Sequence, residues 1–372
     1  MRIAVLGSGM VGAAMALDLA TQHQVKVFDV SESNLRKLQQ RNPAIEVQVA
    51  DLRLHQHFAA WFKDAYLVLV AVPGFMGFDT VRAVIEAGKN IVDISFFPED
   101  ALALDTLAKS KGVTVITDCG VAPGMSNYII GRYDAEMVVE SFEIYVGGLP
   151  KIRKKPFEYK APFSPVDVIE EYTRPARIME NGHIVVKPAL TELEWMEFEG
   201  LGTLESFNTD GLRSLLFTMP HIKNQKEKTL RYPGHVQLII SLKEAGFFSE
   251  VPMEINGTTI TPLQFSSKLL FNEWKLGEEE EELTVMKVIV KGKDKTITYD
   301  LLDRYDPVTK ISSMSRSTGY VATGTLNMLA AGLFTEKGVF PPELVGKHKA
   351  CFDYVLAYLK ERGVIWRSQS TT

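Results

Sequence analysis

The sequence predicts an α/β protein of two domains: a doubly wound parallel sheet, then an α+β domain with a largely antiparallel open sheet. Over residues 1–126, short apolar β-branched runs alternate with helical stretches, and parallel strands need such helical crossovers. After about residue 140 the pattern changes to strands with period-two alternation and turn signals. With 372 residues, 46% hydrophobic and 23% charged, the chain is long enough for two packed cores.

In the first part the expected strands are RIAVLG (2–7), QVKVFDV (24–30), LVLVAVP (67–73), NIVDIS (90–95) and VTVITDC (113–119). The helices between them are GAAMALDLATQ (12–22), SNLRKLQQR (33–41), GFDTVRAVIEAG (77–88) and DALALDTLAKSKG (100–112). In the second part SFEIYVGG (141–148) alternates as a half-buried strand. The stretch 284–303 reads as a hairpin with Met286, Val288 and Val290 on one face and a turn at Lys291–Asp294. Helices are expected over 164–176, 209–219 and 234–245. The segments 317–332 and 351–363 are helical again, and the first, rich in Gly, Ala, Ser and Thr, is suited to close packing back on the first domain. The boundaries follow: 1–126 with about 311–372 for the first domain, and 127–310 for the second. The acidic run 277–283 reads as a solvated loop or helix end.

Composition excludes several function classes. A net charge of -5 with no basic stripe gives no field for nucleic acid. The apolar run 67–78 is broken by Pro73, Gly74 and Gly77 and is too short to span a bilayer. The first strand begins at once, with no charged leader segment, so an unexported protein is expected. Cys119 and Cys351 cannot build a disulfide framework, which points to a reducing cytoplasm. His55, His57, His183, His221 and His348 lack metal-ligand spacing, and no metal is expected. There is neither a Gly-x-Ser-x-Gly elbow nor a P-loop lysine.

One motif carries a mechanism. Gly7-Ser8-Gly9-Met10-Val11-Gly12 follows the first strand and opens the first helix as G-x-G-x-x-G, with Asp29 about 20 residues on at the end of the second strand. The first glycine makes the turn, the second admits a pyrophosphate, the third lets helix and strand approach, and the helix N-terminus offers free N–H groups. The first domain is therefore expected to be a Rossmann domain. Asp29 can accept from both ribose hydroxyls and would repel a 2′-phosphate, so the expected cofactor is NAD rather than NADP. Val72, Pro73, Ser95 and Phe96 end strands on the carboxyl edge and are expected to line the same crevice. So are Gly120, Val121 and Pro123, in a loop at the nicotinamide end that leads into the second domain.

That loop, Asp118 to Asn127, reads D-x-G-x-x-P-G-x-S-N. Together with the Gly7–Gly12 fingerprint, GGLP (147–150), SPVDVIEEYTRPARIMENG (164–182), TDGLRSL (209–215), TLRYPGH (229–235) and SSMSRSTGY (312–320), it resembles the saccharopine dehydrogenase-like proteins over nearly the whole chain. The EEYTRPAR and TDGLRS blocks are similar to the L-lysine 6-dehydrogenase group. Cys119 stands where alanine is more usual in this loop. The resemblance implies NAD-dependent oxidation of L-lysine at its ε-carbon, giving 2-aminoadipate 6-semialdehyde, ammonia and NADH. A saccharopine dehydrogenase is the alternative, and a non-catalytic NAD-binding sensor is a third reading.

The chemistry asks for few groups. An amino-acid substrate needs a cation for its carboxylate, for which arginine offers a planar fork, and Arg213 and Arg231 are the candidates. Glu170, Tyr172, Thr173 and Thr229 lie in the matched blocks and are expected to bind substrate. Asp118, Asp210 and His235 are the acid–base candidates, His235 because imidazole titrates near neutrality. Saccharopine adds two carboxylates, for which Arg132, Arg174 and Arg177 could serve. A homodimer is expected, partly from the resemblance and partly because the hairpin 283–301 would leave a sheet edge to cover.

Overall fold

The structure, a computed structural model, describes residues 1–162, 165–277 and 279–371. Ser164, where a helix was expected to start, and Glu278, within the acidic run, lie outside the described residues. The chain divides into two compact units, Met1–Val139 with Ser315–Trp366 and Glu140–Met314 with Arg367–Thr372.

The first unit begins β1 (Arg2–Leu6), α1 (Met10–Leu19), β2 (Gln24–Asp29), α2 (Glu32–Arg41), β3 (Glu46–Val49), α3 (Phe58–Trp61) and β4 (Leu67–Val70). It continues α4 (Gly74–Glu86), β5 (Asn90–Asp93), α5 (Asp105–Lys111), β6 (Thr114–Ile116) and α6 (Met125–Asp134). In the second lie β7 (Val139–Pro150), α7 (Pro165–Thr173), β8 (Ala176–Glu180), β9 (His183–Lys187), β10 (Glu194–Phe198), β11 (Gly202–Asn208), α8 (Leu215–Thr218) and β12 (Asn224–Arg231). They are followed by α9 (His235–Glu244), β13 (Met253–Ile255), β14 (Thr258–Ile260), α10 (Pro262–Trp274), β15 (Glu282–Gly292) and β16 (Thr296–Arg304). The chain ends with α11 (Ser313–Ala330), β17 (Gly338–Phe340), α12 (Pro342–Gly346), α13 (Lys349–Glu361) and β18 (Trp366–Thr371).

In the first unit the strands run β17-β6-β5-β4-β1-β2-β3, all parallel. With helices over such a sheet, the central strands are apolar throughout, and Leu67 to Val70 are buried at every position. The closing helices pack back on α1. A Cβ at Gly319 would lie 2.9 Å from Met15 Cγ, so α11 meets α1 closely. Asp18 on α1 accepts from Arg362 Nε at 2.6 Å and from the Tyr358 hydroxyl at 2.7 Å. The first unit runs past residue 126 to include α6. Gly131 and Gly346 let α6 and α12 meet backbone to backbone, since a Cβ on either would fall 2.0 Å and 2.4 Å from a carbonyl oxygen of the other helix.

The second unit carries a mixed, largely antiparallel sheet, β10-β11-β12-β7-β15-β16-β18, with β8 pairing β12 and β9. β12 and β7 run parallel, while β10–β11, β11–β12, β12–β8, β8–β9 and β15–β16 run antiparallel. The expected hairpin forms as β15–β16, with Met286 opposite Leu301 and Val288 opposite Tyr299, all buried. Its outer edge is not open: β18 of the same chain pairs with β16, which removes the edge argument for a partner at 283–301. Two expected helices shorten. α7 stops at Thr173, two residues before Pro175, because a residue preceding proline is pushed out of helical backbone. Of 209–219 only α8 is helical: Gly211 lies against the Glu227 carboxylate and Arg213 has φ 47°. Helices α7, α9 and α10 supply an aromatic core with Tyr159, Tyr172, Phe207 and Trp274.

Candidate active site

The strand order brings the nucleotide candidates to one edge. The turns after β6, β5, β4, β1 and β2 all leave the carboxyl ends of neighbouring parallel strands, so Gly120, Val121 and Pro123, then Ser95 and Phe96, then Val72 and Pro73, then Gly7 to Gly12, then Asp29 follow one another along it. At about 4.8 Å per strand, the row from β6 to β2 spans about 19 Å. The three fingerprint glycines differ. A Cβ on Gly7 would stand 2.4 Å from the Ala71 carbonyl oxygen, and on Gly12 2.3 Å from that of Gly7, whereas nothing lies within 4 Å of the position at Gly9. Two are needed for packing, and the third leaves space beside the N-terminus of α1, as a pyrophosphate requires. Asp29 Oδ2 accepts from the Ser8 amide at 2.5 Å and its hydroxyl at 2.8 Å, and Oδ1 from the Ser31 amide at 2.7 Å. The carboxylate thus ties the fingerprint turn to the turn that follows β2. Met10 is half exposed and Val11 partly buried. Gly77 gives Ser95 room, since a Cβ there would lie 2.6 Å from Ser95 Oγ.

The loop 117–127 is held mostly from inside. The Gly120 amide donates to the Pro123 carbonyl at 3.0 Å, and Gly124 at φ 140° has its Cβ position 1.7 Å from the Gly120 oxygen. Asn127 accepts from the Gly124 amide at 3.2 Å and donates to Glu343 Oε2 at 2.9 Å, tying the start of α6 to α12. Cys119 is fully buried with Sγ 3.1 Å from Thr325 Oγ1, and burial pushes its thiol up to about 12, so it stays protonated and inert. Asp118 is the non-glycine residue of this loop with positive φ, 54°.

In the second unit Arg231, Tyr172 and His235 come together. His235 Nδ1 faces the Phe157 carbonyl at 2.9 Å, so it carries the proton, and Nε2 accepts from the Tyr172 hydroxyl at 2.9 Å. The Tyr172 oxygen in turn accepts from Arg231 Nε at 3.2 Å. Arg231 also donates to Glu171 Oε2 at 2.6 Å and to the Leu230 carbonyl at 3.0 Å, and lies 4.3 Å from the centre of the Tyr159 ring. Burial, with the Arg231 charge, pushes His235 down to about 3, and burial pushes Tyr172 up to about 12. The imidazole expected to titrate near neutrality is therefore held as a neutral acceptor at neutral pH. Arg231 is 2% exposed: burial opposes its charge, but Tyr159, Tyr172 and Glu171 outweigh it and hold its pKa above the ordinary value.

Asp210, Glu170, Thr173 and Thr229 are held by other partners. Asp210 has both oxygens on Arg177, Oδ1 to Nε and Oδ2 to Nη2, each at 2.9 Å. Glu170 pairs with Arg174 one turn along α7, and Thr173 donates back to the Ile169 carbonyl at 3.0 Å. Thr229 meets Thr209 hydroxyl to hydroxyl at 3.0 Å. Arg213 is buried in the loop before α8. Glu171, Tyr159 and Glu205 are absent from the sequence candidates. Glu171 adjoins two of them in the EEYTRPAR block, and Glu205, whose Oε1 takes the Val236 amide at 2.8 Å at the start of α9, becomes visible only through strand register. Among the described residues no three His, Cys, Asp or Glu side chains are grouped to hold a metal ion, and no helix is long and apolar enough to cross a membrane.

A Rossmann sheet with an open glycine at the helix N-terminus and a carboxylate at the end of β2 defines a dinucleotide-binding α/β protein with a second α+β unit. Two family models then match nearly the whole chain: the saccharopine dehydrogenase NADP binding domain over residues 3–116 and the saccharopine dehydrogenase C-terminal domain over 118–364. The chain belongs to the saccharopine dehydrogenase family. It is 22% identical over 451 residues to the mitochondrial alpha-aminoadipic semialdehyde synthase of Mus musculus, with 100% of this chain and 48% of that protein covered. It is also 26% identical over 265 residues to a saccharopine dehydrogenase [NADP(+), L-glutamate-forming] of Pyricularia oryzae, over 67% of this chain and 58% of the relative. The chain spans about half the length of the first of these relatives. The apo saccharopine dehydrogenase (L-Glu forming) of Saccharomyces cerevisiae has the same fold, with TM-score 0.80 at 18% identity over 100% of both chains.

Proposed function

We propose that this protein is an NAD-dependent oxidoreductase that deaminates L-lysine at its ε-carbon, releasing 2-aminoadipate 6-semialdehyde and ammonia. The family match supports chemistry at a carbon–nitrogen bond of an amino acid. The observation that favours lysine over saccharopine is the pairing of three further arginines. Arg132 is held by Glu136, Arg174 by Glu170 and Arg177 by Asp210, so the three arginines that could meet the extra carboxylates of saccharopine are each neutralised within the chain. When bound, the nicotinamide supplies the hydride acceptor. The Gly9 opening and the Asp29 carboxylate fit NAD, although the matching N-terminal family model is named for NADP.

The chain's own residues then have distinct tasks. Both Asp210 oxygens are held by Arg177, and the role of accepting the substrate ammonium proton is assigned to Asp118, in the loop after β6. Arg213 is assigned the substrate carboxylate, and the enclosed Arg231 with Tyr172 and His235 braces α7 and α9. Oxidation at the ε-carbon leaves an iminium, which water hydrolyses to aldehyde and ammonia. The names of the relatives favour a second reading, oxidation of saccharopine. NAD reduction by lysine and by saccharopine, measured side by side, decides between them: lysine alone should support it, at a rate rising toward alkaline pH as the free amine, pKa about 10.4, loses its proton. Asp118→Asn should lower kcat about 100-fold or more, while turnover of saccharopine only would overturn the assignment.

A further inference from the structure

We propose that Glu227 holds the α-ammonium group of the substrate, so that the second unit selects an α-amino acid over a simple amine; this rests on the lysine reading, with Arg213 as the carboxylate partner. β12 is an unusual central strand. It lies between β11 and β7, yet Gln225, Glu227, Thr229 and Arg231 are all buried on it. Strand alternation puts these four on one face, where Arg231 meets Tyr172 of α7, and turns Lys226 and Lys228 to the other, where both meet Glu194. Polar groups inside a sheet cost desolvation unless they meet polar partners, so a row of them on a central strand marks a site. Arg231 answers Glu171 and Tyr172, Thr229 answers Thr209, and Glu227 faces the loop that carries Arg213.

That loop is built around the carboxylate. A Cβ on Gly211 would lie 1.8 Å from Glu227 Oε1 and 2.2 Å from Oε2, so only glycine lets the loop close over Glu227. Two residues on, Arg213 is buried with φ 47°, a left-handed backbone that a long side chain adopts at a cost and that the surrounding structure must enforce. The enforcement is visible: Thr209 is tied to Thr229 of β12, and Asp210 to both the backbone and the guanidinium of Arg177. An amino acid carries its carboxylate and its ammonium on one carbon, so their protein partners must be a neighbouring cation and anion. Arg213 and Glu227, brought together across Gly211, are opposite charges in that relation. An ammonium also has three hydrogens to place. Two buried acceptor atoms adjoin the pair in the chain, Gln225 Oε1 on the same face of β12 and the Ser214 hydroxyl next to Arg213, and neither has a hydrogen-bond partner among the described residues.

Two measurements on the full chain test this. The first compares NAD reduction by L-lysine with that by 6-aminohexanoate, which keeps the carboxylate and the ε-amine but lacks the α-ammonium. The native protein should prefer lysine, and Glu227→Gln should lower kcat/KM for lysine about 10- to 100-fold while changing that for 6-aminohexanoate by less than about threefold. A variant that merely folds poorly would lose both alike, and an equal loss or a retained lysine preference overturns the proposal. The second measures binding of L-norleucine, an α-amino acid without an ε-amine, to the chain loaded with NADH, and so needs no turnover. Glu227→Gln should weaken it by a similar factor with NADH binding retained, and unchanged norleucine binding would overturn the role of Glu227. A native protein that binds norleucine through Glu227 yet reduces no NAD with lysine would overturn the lysine reading alone.

Discussion

At the scale of single residues, the second unit is organised by one charge and one neutral ring. Arg231 is kept charged inside an aromatic shell by Glu171 and two tyrosines, and His235 is kept neutral by the same burial. This has a pH consequence. Unfolded His235 takes up a proton below about 6.5, while the folded ring resists it down to about 3, so its contribution to stability is intact above 6.5 and is lost as pH falls between these values. His235→Gln, which removes the titration, should cost about 1–3 kcal/mol near pH 8 through poorer hydrogen bonding. It should lose less further stability than the native protein on acidification, as denaturant unfolding at several pH values will show. Arg231, Tyr172 and His235 were each legible from their sequence blocks, but the ring's neutrality was not, because the burial behind it involves Phe157 and Trp274, which reach His235 from segments far along the chain. The same holds for Asp210, whose partner Arg177 is 33 residues away.

At the scale of elements, glycine contacts and turn chemistry decide what packs where. The loop 117–127 is a fastening as much as a wall: it turns the chain from β6 into α6, which Gly131 and Gly346 press against α12. Gly131→Ala puts a methyl 2.0 Å from the Glu343 carbonyl oxygen. It should destabilise the first unit by about 3 kcal/mol, read as a lower Tm with lost NAD binding. The alternating helices and strands of 1–126 were open to reading because apolar runs and helical periods mark them directly. In the second unit the β8–β9 and β13–β14 hairpins escaped notice although both turn on Asn-Gly, at 181–182 and 256–257, with positive φ at both residues. The flanking strands are short and alternate weakly, which hid them. The expected helix over 209–219 failed for a long-range reason, the approach of Glu227 to Gly211.

At the scale of the molecule, family and nucleotide edge were legible together, since the fingerprint and Asp29 are local and the strand order that aligns them follows from the alternating pattern. On the proposed reading, cofactor choice turns on Asp29: Asp29→Ser should lower kcat/KM for NAD by about tenfold, roughly 1.4 kcal/mol, and raise that for NADP, because the carboxylate proposed to take the ribose hydroxyls is gone. The central claim is that a free ε-amine is the group oxidised, and the fate of its nitrogen tests that most directly. With ¹⁵N at the ε-position of lysine and NAD as sole oxidant, labelled ammonia should appear mole for mole with NADH. Ammonia absent from the lysine reaction, with NADH and glutamate formed together from saccharopine, would contradict the account and return the second unit to the saccharopine reading.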